Sequence, residues 1–306
     1  MKTCFYLLLL IAIAGSTFET AAREKPSNGS GGKAGREESD DDQAAGDYFK
    51  RGTKLPPGVQ AERDIAYGKD HPKQNLDIYH IDSTEKRPTI VVVHGGGWKR
   101  GDKGVFGWYA EFLASQGYVA ASINYRLSGD AKYPAQIEDC QAAVRFLREN
   151  AAKYGINPEK FGAIGHSAGG HLVSLMGTRE GKDARVQAVV SCAGRHNFLG
   201  WEGGKAEVLN ELLGGSKEEK PDLWKDASPV THLTPDDPPY LLLCGTRDNT
   251  VPPSQSENFL KALQEKQVPA ELIQVQDGRH GLSGGSSPTF EELDKKVLDF
   301  FAKHLK

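Results

Sequence analysis

Short apolar runs alternate with segments of helical periodicity from about residue 61 to the end of the chain, and this alternation constrains the fold more than any other sequence feature. The run PTIVVVHGGGW (88–98) is continuous and rich in β-branched residues, which is typical of a strand buried on both faces of a parallel sheet. Residues 134–153 instead carry apolar side chains at helical spacing behind Pro134. The pattern predicts an α/β fold with a mostly parallel central sheet and helices on both faces.

The same patterns predict the individual elements. Strands are predicted over residues 63–68, 75–81, 88–98, 118–126, 160–167, 186–194, 239–248 and 270–277. Helices are predicted over residues 108–116, 134–153, 168–177, 256–267 and 288–305. The first two strands should pair antiparallel around a turn near Asp70. The last helix should present Leu293, Val297 and Phe300 on one face.

Residues 195–237 interrupt the alternation, because they exceed a simple connection between two strands. They contain large apolar side chains: Trp201, Leu209, Leu212, Leu213 and Trp224. We predict a helical, cap-like insertion above the edge of the sheet. Two interpretations are open, a cap that lines an acyl pocket and plain packing against the core.

The N-terminus has the pattern of a secretory signal peptide over residues 1–22. Lys2 precedes an apolar run at 4–15, which small residues follow. That run is shorter than the roughly 20 apolar residues of a spanning helix, although an uncleaved anchor is the alternative. Residues 23–60 are polar and rich in glycine and charge, which predicts a disordered linker before a catalytic domain at 61–306. The mature protein is therefore expected to be secreted or periplasmic.

Charge and cysteine content exclude several classes of partner. The net charge of −3 provides no basic footprint for nucleic acid. No second segment is apolar enough to span a bilayer after signal cleavage. Three cysteines remain in the mature chain, Cys140, Cys192 and Cys244, and they are expected as buried free thiols. A Cys192–Cys244 bridge is the alternative, if their strands are neighbours.

The heptapeptide GHSAGGH (165–171) contains the pattern G-x-S-x-G around Ser167. An apolar strand precedes it and a helix follows it, as the motif requires. Such a turn presents the hydroxyl at the carboxyl end of the sheet, where open α/β sheets bind ligands. In that context Ser167 is predicted to be a nucleophile.

A serine nucleophile needs a base and an acid to orient that base. In this architecture both follow the serine along the chain, the acid first. His280 follows the last strand in QDGRHG, and it is favoured over the other eight histidines. Asp248 ends the preceding strand in LLLCGTRDNTVP and is the predicted acid. Asp277 is the nearest rival.

The glycines after the predicted strand at 88–93 suit an oxyanion hole. The sequence His94-Gly95-Gly96-Gly97-Trp98 matches the HGGG type of loop. Glycine leaves the backbone N–H groups open to close approach. We predict Gly96 or Gly97 as donor with Ala168 as its partner. The alternative is an ordinary glycine-rich turn between a strand and a helix.

Taken together, HGGGWKRGDK (94–103), NYRL (124–127), GHSAGGH, GTRDNTVP (245–252) and GRHG (278–281) resemble the α/β-hydrolase esterases of the hormone-sensitive-lipase-like and BD-FAE (bacterial feruloyl/acetyl-xylan esterase) type. The resemblance covers about residues 61–306. It implies the α/β-hydrolase fold, a triad of Ser167, Asp248 and His280, and an oxyanion hole around Gly96, Gly97 and Ala168. It also implies carboxylic ester substrates with no cofactor. No metal site is expected, because the scattered histidines and the acidic linker do not have the spacing of metal ligands. His166 stands where the hormone-sensitive-lipase branch carries aspartate, which favours the BD-FAE branch.

The sequence therefore predicts a serine ester hydrolase for short acyl esters, such as acetyl or feruloyl esters of plant polysaccharide, xylan among them. Three other functions are possible for such a fold. A lipase would need a larger apolar cap. A prolyl-oligopeptidase-like peptidase normally carries a β-propeller ahead of its hydrolase domain. A non-catalytic binding module on the same fold usually lacks the serine or the histidine.

Overall fold

The computed structural model describes residues 55–179, 181, 183–200 and 206–306. The predicted signal peptide, the linker up to residue 54 and Trp201 lie outside these residues. The first strand begins at Val59, so regular structure starts slightly before the predicted domain boundary at residue 61. Within the described residues, no helix combines the length and the apolar character that crossing a bilayer demands.

Eight strands form one sheet in the order β1-β2-β4-β3-β5-β6-β7-β8. The strands are β1 (Val59–Ala66), β2 (Asn75–Ile81), β3 (Arg87–Val93), β4 (Val119–Ile123), β5 (Ile156–His166), β6 (Ala188–Cys192), β7 (Tyr240–Gly245) and β8 (Ala270–Val275). The strand β2 pairs antiparallel with both β1 and β4, and the remaining pairs are parallel. The predicted mostly parallel sheet with an antiparallel opening pair is confirmed.

The helices cover both faces of this sheet, as predicted. They are α1 (Gly107–Ser115), α2 (Ala135–Glu149), α3 (Ala168–Thr178), α4 (Ala206–Leu213), α5 (Pro221–Asp226), α6 (Ser254–Glu265) and α7 (Phe290–Leu305), with a 3₁₀ helix at Pro229–His232. The predicted insertion at 195–237 contributes α4, α5 and the 3₁₀ helix. Each predicted strand and helix is present, with ends that differ by a few residues.

Successive side chains of the central strands point to opposite faces of the sheet, so the core consists of two layers. In β3, Ile90 and Val92 pack with α1 and α7, whereas Val91 and Val93 pack with α2, α3 and α6. All four side chains are fully buried. A strand buried on both faces must be apolar at every position, which explains the unbroken run in the sequence. Each such side chain contributes about 1.5–3 kcal/mol by leaving water.

Helix α7 corrects one detail of the prediction. Its buried side chains are Leu293, Val297, Phe301 and Leu305, each four residues after the last. Phe300 is only partly buried and packs against this core from the side. Because successive i, i+4 positions stay on one face of a helix, Phe301 continues the stripe that the sequence analysis assigned to Phe300.

The three cysteines of the described chain are free and buried, as expected. Cys192 and Leu243 are register partners on the parallel strands β6 and β7, and both side chains lie in the core beside α1 and α7. Consecutive residues of a strand point to opposite faces, so Cys244 faces away from Cys192. This orientation excludes the Cys192–Cys244 bridge.

The parallel topology brings the ends of β3, β5, β7 and β8 to one edge of the sheet. The HGGG loop follows β3, Ser167 follows β5, Asp248 follows β7 and His280 follows β8. All of the predicted site residues therefore lie along the carboxyl edge, the edge where open α/β sheets bind ligands.

Candidate active site

Ser167 occupies a sharp turn between β5 and α3. Its backbone lies at φ 56° and ψ −115°, a conformation that costs a non-glycine residue of order 1–3 kcal/mol. Two hydrogen bonds hold the turn: Ser167 N–H donates to the carbonyl of Cys192 at 2.8 Å, and His171 N–H donates to the carbonyl of Ser167 at 3.0 Å. The turn lifts the hydroxyl out of the sheet edge.

The glycines of the motif are required by close backbone packing. A Cβ on Gly165 would lie 2.4 Å from the carbonyl carbon of Gly169. A Cβ on Gly169 would lie 2.1 Å from the carbonyl oxygen of Val93. Both distances are far below a van der Waals contact. The strand, the turn and the helix approach so closely that only hydrogen fits at either position.

Ser167, His280 and Asp248 form one hydrogen-bonded chain. Ser167 Oγ lies 2.8 Å from His280 Nε2, and His280 Nδ1 lies 2.7 Å from Asp248 Oδ2. An ionised carboxylate only accepts, so His280 Nδ1–H donates to Asp248. The lone pair of Nε2 is then left to accept the proton of Ser167. This is the tautomer that a general base requires.

Asp248 is fixed by the turn in which it stands. Its Oδ1 accepts the backbone N–H groups of Thr250 and Val251, each at 2.8 Å, while the side chain is fully buried. The rival acid, Asp277, is exposed on the loop after β8, and its backbone N–H donates to Thr246 Oγ1. Of the two candidates, only Asp248 contacts His280.

The remaining candidate bases stand elsewhere. His232 Nε2–H donates to the carbonyl of Asp226 at 2.7 Å, and His196 Nε2 contacts Ser191 Oγ at 3.0 Å. His304 lies on α7 beside Phe300. The prediction of His280 as the histidine that meets Ser167 agrees with the geometry.

The HGGG loop lies directly against the nucleophile turn. A Cβ on Gly95 would lie 3.3 Å from Ser167 Cβ. Gly96 and Gly97 take φ values of 110° and 61°, which glycine adopts at no steric cost. Among the described residues, the N–H groups of Gly96, Gly97 and Ala168 donate to no other protein group. They are available to the oxygen of a bound carbonyl.

The insertion reaches this loop. Val208 of α4 has its Cγ1 3.7 Å from where a Cβ on Gly97 would stand. Lys99 Nζ, in the same loop, forms an ion pair with Glu211 Oε2 at 2.5 Å. The opposite face of α4 buries Leu209, Leu212 and Leu213 in the core. Helix α4 therefore packs against the core and also borders the HGGG loop, while the acyl pocket of the first interpretation stays a prediction.

The two histidines that flank the nucleophile are buried, and burial favours their uncharged form. Burial lowers the pKa of His166 to about 4 and that of His171 to about 3. Trp98 Nε1–H donates to His171 Nδ1 at 3.1 Å, and His171 Nε2–H donates to the carbonyl of Ala227 at 2.8 Å. His171 therefore joins the HGGG loop, helix α3 and the insertion.

Arg195 is a buried residue of the site that the sequence analysis missed. It follows β6 and its guanidinium lies 5.7 Å from the ring centre of Trp98. Burial lowers its pKa to about 10, while the carboxylate of Asp248 acts in the opposite direction. No sequence motif distinguishes such an arginine from a surface residue. Its burial depends on how β6 and the loop after β7 meet.

Residues that could hold a metal ion do not gather anywhere in the described chain: no group of three or more His, Cys, Asp or Glu side chains has the necessary arrangement.

The eight-stranded sheet, the strained serine turn and the Ser–His–Asp chain define the α/β-hydrolase class. Within that class, the BD-FAE family model matches residues 76–263, and the chain belongs to the BD-FAE family. The match includes Ser167 and Asp248 and ends before His280.

Known proteins resemble the chain in sequence and in structure. Esterase LipC of Mycobacterium tuberculosis is 32% identical over 223 residues, which are 66% of this chain and 54% of LipC. The chain spans about half the length of the curated relatives it matches. A truncated carbohydrate esterase from gut microbiota superposes with a TM-score of 0.73 at 29% identity, covering 80% of this chain and 95% of that one. An acetyl ester-xyloside bifunctional hydrolase from Caldicellulosiruptor lactoaceticus superposes with a TM-score of 0.66 at 29% identity, covering 75% and 87% of the two chains.

Proposed function

We propose that the protein is a serine carboxylic ester hydrolase. The observation that carries the proposal is the unbroken hydrogen-bonded chain from the buried carboxylate of Asp248 through His280 to Ser167 Oγ. Among the described residues, backbone N–H groups that donate to no protein group are found in the HGGG loop, which packs against the serine turn, and at the start of α3. A nucleophile, a base in the right tautomer and donors for an oxyanion are the parts that acyl transfer needs.

Acylation begins when Ser167 Oγ attacks the ester carbonyl carbon. His280 Nε2 takes the hydroxyl proton, and Asp248 stabilises the resulting imidazolium. The carbonyl oxygen gains negative charge, and the N–H groups of Gly96, Gly97 and Ala168 stabilise it by donating hydrogen bonds. The positive end of α3 points at the same place. The C–O bond to the alcohol then breaks, and the alcohol leaves with the proton from His280.

Deacylation follows the same route with water. His280 takes a proton from a water molecule, whose oxygen attacks the acyl carbon on Ser167. The second tetrahedral intermediate collapses, the bond to Ser167 Oγ breaks and His280 returns the proton to that oxygen. A carboxylic acid is released and the free site is restored.

For the substrate, we propose short acyl esters, with acetyl or feruloyl esters of plant polysaccharide such as xylan as the class. Family membership supports this, as do two structural relatives, one described as a carbohydrate esterase and the other as an acetyl ester-xyloside hydrolase. Val208, which borders the HGGG loop, supports a short acyl group. Export, proposed from residues 1–22, would bring the protein to such polymers.

The test is hydrolysis of p-nitrophenyl esters from acetyl to dodecanoyl, followed by acetylated xylan and methyl ferulate. Ser167→Ala should lower kcat for the acetyl ester by about 10⁴-fold or more. Ser286→Ala, on an exposed loop, is the matched control and should leave kcat unchanged. Preference for dodecanoyl over acetyl esters would replace the short-acyl proposal with a lipase. Absence of cleavage by the folded protein would reject the ester hydrolase.

A further inference from the structure

His166 takes no part in the proton transfers above, yet it contacts the base directly. Its Nε2 lies 2.8 Å from the backbone carbonyl oxygen of His280, and the two ring centres are 4.9 Å apart. A carbonyl oxygen only accepts, so His166 Nε2–H is the donor. The hydrogen bond therefore acts on the main chain of the residue that serves as base.

The bond closes a ring of contacts around the nucleophile. His166 is joined to Ser167 by a peptide bond, Ser167 Oγ contacts the His280 ring, and the His280 carbonyl contacts His166. The two residues are far apart in the sequence: His166 is the last residue of β5, and His280 lies in the loop after β8. These contacts therefore fix the position of His280 relative to Ser167 independently of the rest of the loop that carries His280.

His166 is also confined on its other side. A Cβ on Gly95 would lie 3.3 Å from His166 Nδ1 and 2.9 Å from the carbonyl oxygen of His166. The imidazole thus fills the space between the HGGG loop and the loop that carries His280. With 8% of its surface exposed, the side chain has little room to adopt another rotamer.

We propose that His166 is a positioning residue, which holds His280 at the distance from Ser167 that proton transfer requires. The proposal rests on the proposed function, since it concerns the same proton transfer. It assigns a role to the variable position of the G-x-S-x-G pattern in this chain.

Burial favours the uncharged form of His166. Among the described residues, His280 is hydrogen-bonded to Asp248, Ser167 and His166, and the carboxylate of Asp248 opposes the lowering of the pKa of His166. Arg195 lies farther away and acts on Asp248. Burial first, and repulsion from His280 second, lower the pKa of His166 to about 4. A second positive charge at this distance would oppose formation of the imidazolium on His280.

Three substitutions separate the hydrogen bond from simple packing. His166→Gln keeps an N–H donor at about the reach of Nε2, His166→Met keeps the bulk without the donor, and His166→Asn keeps an amide that is too short. His232 offers the matched control, because its Nε2–H also donates to a backbone carbonyl, that of Asp226, away from Ser167. It receives the same Gln and Met substitutions.

The measurements are kcat and KM for p-nitrophenyl acetate with the full chain, beside the urea midpoint of each variant. We expect His166→Met and His166→Asn to lower kcat about 10- to 100-fold, as small misplacements of catalytic groups do, with KM within about twofold of wild type. His166→Gln should retain kcat within about fivefold. The His232 variants should match wild type in kcat, whatever their urea midpoints.

Each other pattern overturns the proposal. Wild-type kcat in His166→Asn, or equal losses in the Gln and Asn variants, would show that the donor at Nε2 is not what matters. Losses of kcat that follow the urea midpoints of the His166 and His232 variants alike would assign His166 to packing only. A folded wild-type protein without esterase activity would instead reject the proposed function, and this inference with it.

Discussion

Asp248 Oδ2 accepts a hydrogen bond from His280 Nδ1 at 2.7 Å, and Asp248 is held by two further hydrogen bonds to its other oxygen. The carboxylate thereby selects the tautomer of the imidazole. In Asp248→Asn, the amide can donate to Nδ1, which would move the ring proton to Nε2. That tautomer cannot accept the proton of Ser167, so we expect kcat for acetyl esters to fall about 10⁴-fold.

The matched control for this prediction is Asp277→Asn. Asp277 lies on the same loop as His280 but is exposed. Its variant should keep kcat within about twofold of wild type. Steady-state kinetics on p-nitrophenyl acetate measure both variants. A loss of the same size in both would mean that Asp248 does not orient the base through its own hydrogen bond.

Gly169→Ala is expected to destabilise the fold and to impair the site together. The added Cβ would lie 2.1 Å from the carbonyl oxygen of Val93, so α3 would have to move away from β3. Overpacking of this kind costs about 1–3 kcal/mol or more. Urea denaturation should show the loss, and p-nitrophenyl acetate kinetics should show a lower kcat, because α3 carries the amide of Ala168.

Gly129→Ala provides the comparison, because a Cβ there would meet no atom within 4 Å. Its free energy of unfolding should stay within about 0.5 kcal/mol of wild type. If Gly169→Ala proved equally neutral, the close approach of α3 to β3 would not be what makes glycine necessary at that position.

Much of this site follows from local sequence. The apolar run before the HGGG loop, the strand–serine–helix pattern and the order of Ser167, Asp248 and His280 each depend on a few adjacent residues. Parallel topology then brings the ends of their strands to one edge. The sequence could therefore indicate which residues meet, because each one follows a strand of the parallel sheet within a few residues.

The remaining features depend on contacts between distant segments. Nothing near His166 indicates that its ring meets the carbonyl of His280, and nothing near Arg195 indicates burial beside Trp98. The docking of Val208 over Gly97 likewise depends on how the insertion folds back on the sheet edge. Local periodicity also predicted Phe300 on the buried face of α7, where Phe301 lies instead. The two phenylalanines are adjacent, and periodicity alone does not determine which of two neighbouring apolar residues faces the core.

Val208 should influence the length of acyl group that the site accepts. Its side chain lies next to Gly97, so a larger residue would occupy space beside the carbonyl. We expect Val208→Phe to lower kcat/KM for hexanoyl esters about tenfold, with a much smaller effect on acetyl esters. Hydrolysis of a p-nitrophenyl ester series measures the profile.

Val105→Phe makes the same substitution on an exposed side chain of the long loop that follows β3. It should leave the chain-length profile unchanged. A Val208→Phe variant whose profile matched that of Val105→Phe would place the acyl group away from α4, and an equal loss for every ester would indicate general damage to the HGGG loop.

Four buried histidines should make the fold sensitive to acid. Burial lowers the pKa of His94 and His166 to about 4, and that of His171 and His196 to about 3. In the unfolded chain each takes up a proton near pH 6.5. The unfolded state therefore binds more protons below that pH, so the free energy of unfolding is greatest above pH 6.5 and falls as the pH drops toward 4.

Each of these histidines contributes up to about 1.4 kcal/mol per pH unit to that fall. His171→Gln removes one titrating group, while an amide can still accept from Trp98 and donate to the carbonyl of Ala227. Urea denaturation between pH 8 and pH 5 gives the free energy of unfolding at each pH. Below pH 6.5, this free energy should fall less steeply in the variant than in wild type, by an amount that corresponds to about one bound proton. Above pH 7.5, where His171 is neutral in both states, the difference between variant and wild type should be constant. An unchanged slope below pH 6.5 would mean that His171 is protonated in the folded protein, which its two hydrogen bonds argue against.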